Sequence, residues 1–257
     1  MLAGLARTWH KTKSTRLFIR FNLLLFTVVV PLFGAASVTA NVAGFQLCGL
    51  LGVALAYHIF GYVLNDVIDL PVDRTEPQRA AYPLVRGTIQ PGQALAIALM
   101  QVPLALALTA LLGGTGAAYV ALGLSFALAA AYDLWGKRSP WPPLIDLVQA
   151  LSWAAWMLYG ALIVGGTPTR LTGVLAGFII VYILMVNGVH ASLRDLPNDL
   201  RRGMRTTAIL LGVRPTEAAG IRLSVRLKLY VLLLQALLTG LILVPLYGNW
   251  LNYAPPR

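Results

Sequence analysis

The chain has 257 residues, of which 58% are hydrophobic and 11% are charged, and its mean hydropathy is +0.74. This composition excludes a soluble globular domain and is typical of a polytopic helical membrane protein. A net charge of +11 would suggest nucleic acid in a soluble protein. In a membrane chain the basic residues first determine topology, so we expect the lipid bilayer and no nucleic acid as a partner.

Windows of about 20 apolar residues predict the membrane spans. In chain order they cover residues 17–39, 43–64, 93–113, 115–134, 144–165, 171–190 and 227–247. The basic N-terminus leads into the first span without a convincing cleavage site, so we interpret that span as retained rather than as a signal peptide. Short neutral turns on one face alternate with long or charged loops on the other.

The basic residues are distributed unequally between the two faces. All 20 except Arg170 and Arg257 lie on the side of the N-terminus and the long loops. The positive-inside rule therefore predicts that the N-terminus and these loops are cytoplasmic. All nine acidic residues lie on the same side. Because acidic residues do not follow this rule, their placement indicates another role.

The first acidic stretch ends the second span and holds three of the nine acidic residues within eight positions, Asp66, Asp69 and Asp73. If the helix continues through it, Asn65, Asp69 and Asp73 lie on one helix face. Carboxylates this close repel one another, and Mg²⁺ that bridges them to a phosphate relieves the repulsion. A lone Asp at a helix end is usually a solvated anchor.

A second acidic stretch follows the sixth span and repeats the pattern Asp-Leu-Pro-x-Asp at residues 195–199. Two acidic stretches at matching helix ends predict a site that holds one diphosphate between two metal ions. Arginines follow both stretches, and guanidinium groups bind phosphate oxygens in bidentate fashion. We expect substrate contacts from Arg79, Arg194 and Arg205, whereas Arg201 and Arg202 are equally consistent with contacts to lipid headgroups.

These motifs resemble those of the UbiA superfamily of intramembrane prenyltransferases. The matching positions are Asn65-Asp66-x-x-Asp69-x-x-x-Asp73-Arg74, Pro83-Leu84-x-x-Gly87, Tyr132, Asp195-x-x-x-Asp199 and Gly203-x-Arg205-Thr206. The resemblance implies an all-α membrane domain over residues 1–257, with a central cavity under a cytoplasmic Asp-rich cap. It also implies Mg²⁺-dependent transfer of a prenyl group from a polyprenyl diphosphate to an aromatic or quinone-precursor acceptor.

The resemblance further implies a role for each site residue. Two Mg²⁺ ions would bind the diphosphate through Asn65, Asp69, Asp73, Asp195 and Asp199, with Asp66 as an additional or outer contributor. The metal ions and the arginines, with Asp69 and Asp195 at the centre of the site, would stabilise the charge that develops on the leaving group. Tyr132 belongs to the implied substrate-binding positions.

The chain departs from the family pattern in several places. Members commonly carry an acidic residue before the second motif, where this chain has His190; the second metal site is then either weaker or completed by His190 or Asn198. Alternatively, His190 contacts the prenyl acceptor, acts as a base, or is structural. Tyr82 replaces an arginine, so one phosphate contact is either missing or supplied by Arg86. Members usually have nine spans, so the last two are either absent or unnecessary in a compact variant.

Two further acidic residues have weaker signals. Asp146 and Gln149 lie one helical turn apart near the start of the fifth span. They either face the cavity and position a prenyl acceptor or are solvated at the interface. Asp133, followed by Lys137 and Arg138, is interpreted as an interfacial charge cluster.

Two other functions stay open at the level of sequence. A membrane terpene cyclase would use the same metal site but capture the carbocation with the substrate's own double bonds. An ion-coupled transporter or lipid-binding protein would use the acidic residues to bind or relay ions. Transport predicts charge at bilayer depth, whereas nearly every acidic residue here lies at the cytoplasmic end of a span. The oligomeric state is left open, and in a bacterium the expected location is the inner membrane.

Overall fold

The computed structural model describes residues 15–216, 220–248 and 250. Within them, six helices are long and apolar enough to cross a membrane, and a shorter apolar helix precedes them. The apolar helices are α1 (Leu24–Ala36), α2 (Gly44–Ile68), α4 (Pro91–Leu111), α5 (Gly116–Trp135), α6 (Pro142–Ile163), α7 (Arg170–Met185) and α11 (Val225–Tyr247). The predicted all-α membrane fold class is confirmed.

Short elements occupy the long connections, all on one face of the bundle. They are α3 (Leu70–Asp73), 3₁₀ turns at Phe21–Leu23, Pro77–Arg79 and Gly136–Arg138, a π-helical turn at Val186–Ala191, α8 (Ser192–Arg194), α9 (Leu196–Arg201) and α10 (Thr207–Leu210). A small antiparallel hairpin pairs β1 (Arg214–Pro215) with β2 (Ile221–Arg222). The π-helical turn continues α7 directly into α8, so this span reaches Arg194.

Hydroxyl side chains mark the starts of three spans. The hydroxyls of Thr115, Thr169 and Ser224 each accept a hydrogen bond from a backbone N–H in the first turn of α5, α7 and α11. These contacts satisfy N–H groups that have no partner within the helix. On the same face as Thr115 and Thr169, glycines with positive φ end α4 and α6, because Gly113 and Gly165 adopt a left-handed conformation that other residues rarely tolerate.

Helix α6 is the centre of the bundle, since it packs against α1, α5 and α7. Helix α2 packs mainly against α4 and also contacts α1, while α11 packs against α7. Trp156 and Tyr159 on α6 are fully buried and stacked, with ring centroids 5.2 Å apart. Of the six long helices, α6 has the largest buried share and is therefore the least exposed to lipid.

Hydrogen bonds between helices supplement the packing of apolar side chains. The Trp156 indole donates to the Thr27 carbonyl at 2.9 Å, which joins α6 to α1. The hydroxyls of Tyr57 and Ser152 lie 2.7 Å apart, which joins α2 to α6. In lipid, water is absent as a competing partner, so such bonds hold helices in one register, each at about 0.6–2 kcal/mol.

Two glycines allow α1 and α6 to approach closely. A Cβ atom at Gly34 would overlap the Met157 carbonyl, and a Cβ atom at Gly160 would overlap the Pro31 carbonyl. In both cases the overlapping atoms belong to the backbone, which cannot move aside as a side chain can, so both positions require glycine. Small residues at helix crossings let membrane helices pack through their backbones.

Two predicted span boundaries were wrong. The first span was predicted from residue 17, but α1 begins at Leu24, because Arg20 has φ +46° and a left-handed residue interrupts the helix. The second span was predicted to end at 64, but α2 continues to Ile68. An apolar window stops at the first charge, whereas Asp66 is buried and has an ionic partner inside the bundle.

We expect Gly160→Ala to destabilise the bundle by about 1–3 kcal/mol, because one methyl group would overlap backbone at the crossing of α1 and α6. Gly240→Ala on α11 is the matched control. A Cβ there has nothing within 4 Å, and replacing a helical glycine otherwise stabilises by about 0.5–1 kcal/mol. Unfolding in mixed detergent micelles measures both, and equal effects would contradict the crossing.

Candidate functional site

A cavity of about 710 Å³ opens on the face that carries the short elements. Its volume lies within the range of small-molecule binding sites, roughly 300–1,000 Å³. Residues from both acidic stretches line it, together with side chains from α1, α2, α5, α6 and α7. The cavity therefore lies inside the bundle rather than on its surface, with acidic groups at its mouth.

The first acidic stretch forms a continuous stripe along the cavity. Helix α2 carries Asn65, Asp69 follows its last turn, and Asp73 ends α3; all three line the cavity. The Asn65 amide donates to Asp69 at 3.3 Å and to Asp133 at 3.1 Å. The predicted spacing of four residues thus places these side chains on one face, because the backbone stays nearly helical through Asp69.

The second acidic stretch lines the same cavity. Asp195 separates α8 from α9, and Asp199 within α9 is buried. Arg194 donates two hydrogen bonds to the Asp195 carboxylate, at 2.8 and 2.9 Å. All three residues line the cavity. The two stretches are also joined directly, because Arg202 donates a hydrogen bond to the Thr75 hydroxyl.

Asp66, expected as an additional or outer contributor to the metal site, does not line the cavity with its neighbours. The carboxylate is 4% exposed and pairs with Arg20, whose side chain is 12% exposed. Arg20 also donates to the Asn65 amide oxygen at 3.1 Å. The left-handed backbone of Arg20 interrupts the chain just before α1. This ion pair therefore holds the first acidic stretch in place through a residue that does not itself line the cavity.

Burial and the nearby arginines act in opposite directions on the pKa of Asp73. Burial, opposed by Arg79 and supported by the neighbouring Asp66 and Asp69 carboxylates, raises the pKa of Asp73 to about 6. The Arg79 Nε atom is 3.9 Å from the Asp73 carboxylate, and its guanidinium lies 4.7 Å from the centroid of the Tyr82 ring. A carboxylate that is buried and lies close to other negative charges binds a cation more favourably than a solvated carboxylate does.

The structure places two expected substrate contacts outside the cavity. His190 is exposed, because the cavity-facing positions of the π-helical turn are Asn187 and Ala191, four residues apart and in line with Asp195. Arg86 is also exposed, because the chain turns at residues 82–87 and carries it away. Tyr132, Asp146, Arg79, Arg194 and Arg205 do line the cavity.

Three polar residues of the cavity were missed or misread from the sequence. Arg20 was counted only as a topology signal, and Asp133 was interpreted as an interfacial charge. Asp133 instead lines the cavity and accepts the hydrogen bond from Asn65. Asn187 was missed, although it lines the cavity from the π-helical turn. A polar residue inside an apolar span was the available clue.

The opposite wall of the cavity is aromatic. Phe26 lies between Trp153 and Tyr182, with ring centroids 4.8 and 5.6 Å away. All three side chains line the cavity, and Tyr182 is 37% exposed. The cavity therefore combines a charged region with an aromatic wall.

Together, these features define an integral membrane protein in which two acidic helix ends line one cavity within the bundle. The UbiA prenyltransferase family model matches residues 23–255. The chain belongs to this family, and the resemblance stated from its motifs is confirmed.

Individual relatives agree with this assignment. The digeranylgeranylglyceryl phosphate synthase of Pyrococcus abyssi is 35% identical over 157 residues, 60% of this chain and 52% of that protein. The 4-hydroxybenzoate octaprenyltransferase of Tolumonas auensis is 33% identical over 152 residues, 59% of this chain and 51% of that protein. The matches thus span about half the length of these two curated relatives.

Solved structures share the fold. A UbiA homolog from Archaeoglobus fulgidus, bound to DMAPP and Mg²⁺, superimposes with a TM-score of 0.69 at 16% sequence identity. The match covers 94% of this chain and 79% of that chain. At this level of identity the likeness establishes the fold of the bundle.

We expect Arg20→Met to cost about 3–5 kcal/mol of unfolding free energy, because Asp66 would be left as a buried charge without its partner. Asp66→Leu should cost a similar amount for the converse reason. The double variant should lose much less than the sum of the two. A double-mutant cycle measured by unfolding in detergent tests this, and additive losses would contradict a coupled buried pair.

Proposed function

We propose that this membrane protein is a Mg²⁺-dependent prenyltransferase that moves a prenyl group from a polyprenyl diphosphate to an aromatic or quinone-precursor acceptor. The observation that carries this proposal is that both acidic stretches line one cavity with an aromatic wall. The names of the relatives, and the DMAPP and Mg²⁺ bound to the Archaeoglobus fulgidus homolog, support it.

The oxygen-bearing side chains of the cavity fit Mg²⁺. Carboxylates and an amide from both stretches line it, namely Asn65, Asp69, Asp73, Asp195 and Asp199. Among the described residues, no three histidine, cysteine, aspartate or glutamate side chains are grouped so that they could hold a metal ion by themselves. This suits Mg²⁺, which usually binds one or two carboxylates and takes its other ligands from water and substrate phosphate. Bound there, Mg²⁺ would supply positive charge that stabilises the departing diphosphate.

Arginines at the mouth of the cavity provide the remaining contacts to the diphosphate. Arg79, Arg194 and Arg205 line this region and carry guanidinium groups suited to phosphate oxygens. In the structure Arg194 and Asp195 neutralise each other through two hydrogen bonds. In our proposal, Arg194 turns to the diphosphate when Asp195 binds a cation, so the site develops its full positive charge only with substrate.

The aromatic wall accommodates the prenyl chain and its reactive end. The C1–O bond of the prenyl diphosphate breaks with its electron pair leaving on the diphosphate, and C1 then forms a bond to the prenyl acceptor, which loses a proton. The ring faces of Phe26, Trp153 and Tyr182 favour positive charge at C1. The same aromatic wall provides apolar surface for the prenyl chain.

The inner cavity also favours a transferase over a terpene cyclase. Asp146, Gln149 and Asn187 place polar groups beside the aromatic wall. A cyclase needs only apolar and aromatic surface around a folded hydrocarbon, whereas a separate prenyl acceptor needs hydrogen-bonding partners. Polar groups buried in a membrane bundle are costly, which is consistent with their use in binding.

We expect Asp69→Asn and Asp195→Asn each to reduce Mg²⁺-dependent diphosphate release by roughly 100-fold or more, because each removes an anionic oxygen from the metal-binding face. Arg205→Gln should weaken the binding of geranyl diphosphate, whereas Arg170→Gln on the opposite face should not. Purified protein in nanodiscs with radiolabelled geranyl diphosphate measures both effects. Retention of full activity by both Asp variants would contradict the proposed site.

We further propose that the N-terminus and both acidic stretches face the cytoplasm, supported by the unequal distribution of basic residues. In a Cys48→Ala background, an impermeant maleimide added to intact cells should label Thr167→Cys and leave Ala81→Cys unlabelled. Both positions are exposed, on opposite faces. The reverse labelling pattern would contradict this orientation.

A further inference from the structure

The inner part of the cavity contains polar groups that the diphosphate does not use. Asp146, Gln149 and Trp153 lie on one face of α6 at spacings of three and four residues, and all line the cavity. Asn187 of the π-helical turn faces the same space. This group of four residues, which we call the inner polar pocket, lies on the membrane side of Asp195.

Each of the two amide groups in this pocket has one atom without a hydrogen-bond partner in the described part of the chain. Gln149 Oε1 and Asn187 Nδ2 are buried and have no hydrogen-bond partner among the described residues. One is a hydrogen-bond acceptor and the other a donor. A buried amide atom without a partner is costly, so both atoms point to a ligand that supplies a donor and an acceptor of its own.

Asp146 has a fixed position in the pocket. It is 8% exposed and accepts a hydrogen bond from Thr207 of α10. A Cβ atom at Gly188 would lie 3.1 Å from its Oδ2 atom, so the missing side chain at Gly188 lets the carboxylate lie against the π-helical turn. Thr207 engages Oδ2. The carboxylate can therefore accept the hydroxyl hydrogen of a bound molecule as well.

The described residues place no cation beside Asp146. Four arginines line the cavity, and three of them pair with other acids: Arg20 with Asp66, Arg79 with Asp73 and Arg194 with Asp195. The fourth, Arg205, is exposed at the mouth. His58 also lines the cavity, but both of its ring nitrogens are engaged, one with the Thr27 hydroxyl and the other with the Ile19 carbonyl.

From this arrangement we infer that the inner polar pocket binds an uncharged, hydroxyl-bearing prenyl acceptor, and that it discriminates against an aromatic carboxylate. A ligand carboxylate here would face Asp146 with no neutralising charge in a medium of low dielectric constant. A hydroxyl and a neutral carbonyl or amide group instead match Asp146, Asn187 and Gln149, while the Trp153 ring packs against the ligand. The inference rests on the proposed prenyl transfer and narrows its substrate class.

The experiment compares two prenyl acceptors of nearly equal shape, 4-hydroxybenzoate and 4-hydroxybenzamide, which differ in charge. The full chain in nanodiscs receives Mg²⁺ and geranyl diphosphate, and kcat/KM is measured for each acceptor. We expect the amide to be preferred at least tenfold. Equal rates, or a preference for the carboxylate, would overturn the inference while leaving prenyl transfer intact.

Variants of the inner polar pocket test whether this pocket causes the preference for the amide over the carboxylate. Asp146→Asn should reduce the preference for the amide over the carboxylate at least tenfold, because it removes the repelling charge. Gln149→Leu should raise KM for the amide at least fivefold with little change in kcat. Gln101→Leu on α4 is the matched control, since Gln101 bonds only the carbonyl of its own helix at Ile97 and lies outside the cavity. An unchanged preference in Asp146→Asn would overturn the assignment.

A binding measurement separates failure of the pocket from failure of the chemistry. With the unreactive geranyl thiodiphosphate and Mg²⁺ bound, equilibrium binding of both acceptors is measured directly. Tighter binding of the amide supports the inference even without turnover, and equal binding overturns it. If the protein binds neither geranyl diphosphate nor its thio analogue, prenyl transfer itself is wrong, and the inference falls with it.

Discussion

The ion pair between Arg20 and Asp66 supports the architecture of the site. Asp66 lies in the last turn of α2, where the bundle excludes water, and a carboxylate there persists only with a cation beside it. Arg20 meets this need from the segment before α1 and at the same time holds the Asn65 amide. The pair therefore allows α2 to continue as helix into a charged sequence. As a result, Asn65, Asp69 and Asp73 share one face.

The cavity combines two chemical environments that the bundle keeps apart. Its mouth gathers acidic and basic side chains from both acidic stretches, joined through Arg202 and Thr75. Its inner wall is aromatic, with a few amide and carboxyl groups between the rings. A diphosphate and a prenyl chain need these same two environments in one molecule. The π-helical turn contributes to both, because it directs Asn187 inward while leading into Asp195.

Much of the site was predictable because its signals are local in sequence. Spacings of four residues placed Asn65, Asp69 and Asp73 on one face, and the repeat of Asp-Leu-Pro-x-Asp located the second stretch. The misplaced residues depend on contacts far apart in the chain. Asp66 pairs with a residue 46 positions away, and Asp133 bonds Asn65 across 68 positions. His190 was misplaced because it lies five residues before Asp195, whereas the side chains that line the cavity there follow a spacing of four, at Asn187 and Ala191.

The sequence by itself determined the membrane class, the approximate spans, the family and the two acidic stretches, because hydrophobic length, charge asymmetry and short motifs are properties of local segments. Only the tertiary structure decided which polar groups are neutralised and which face the cavity. Arg20 and Asp66 neutralise each other's charge. Gln149 and Asn187 both line the cavity, and each has one amide atom without a hydrogen-bond partner among the described residues. Such pairings depend on how the helices pack, and that packing is determined by contacts such as Gly160 against Pro31, which no periodicity reports.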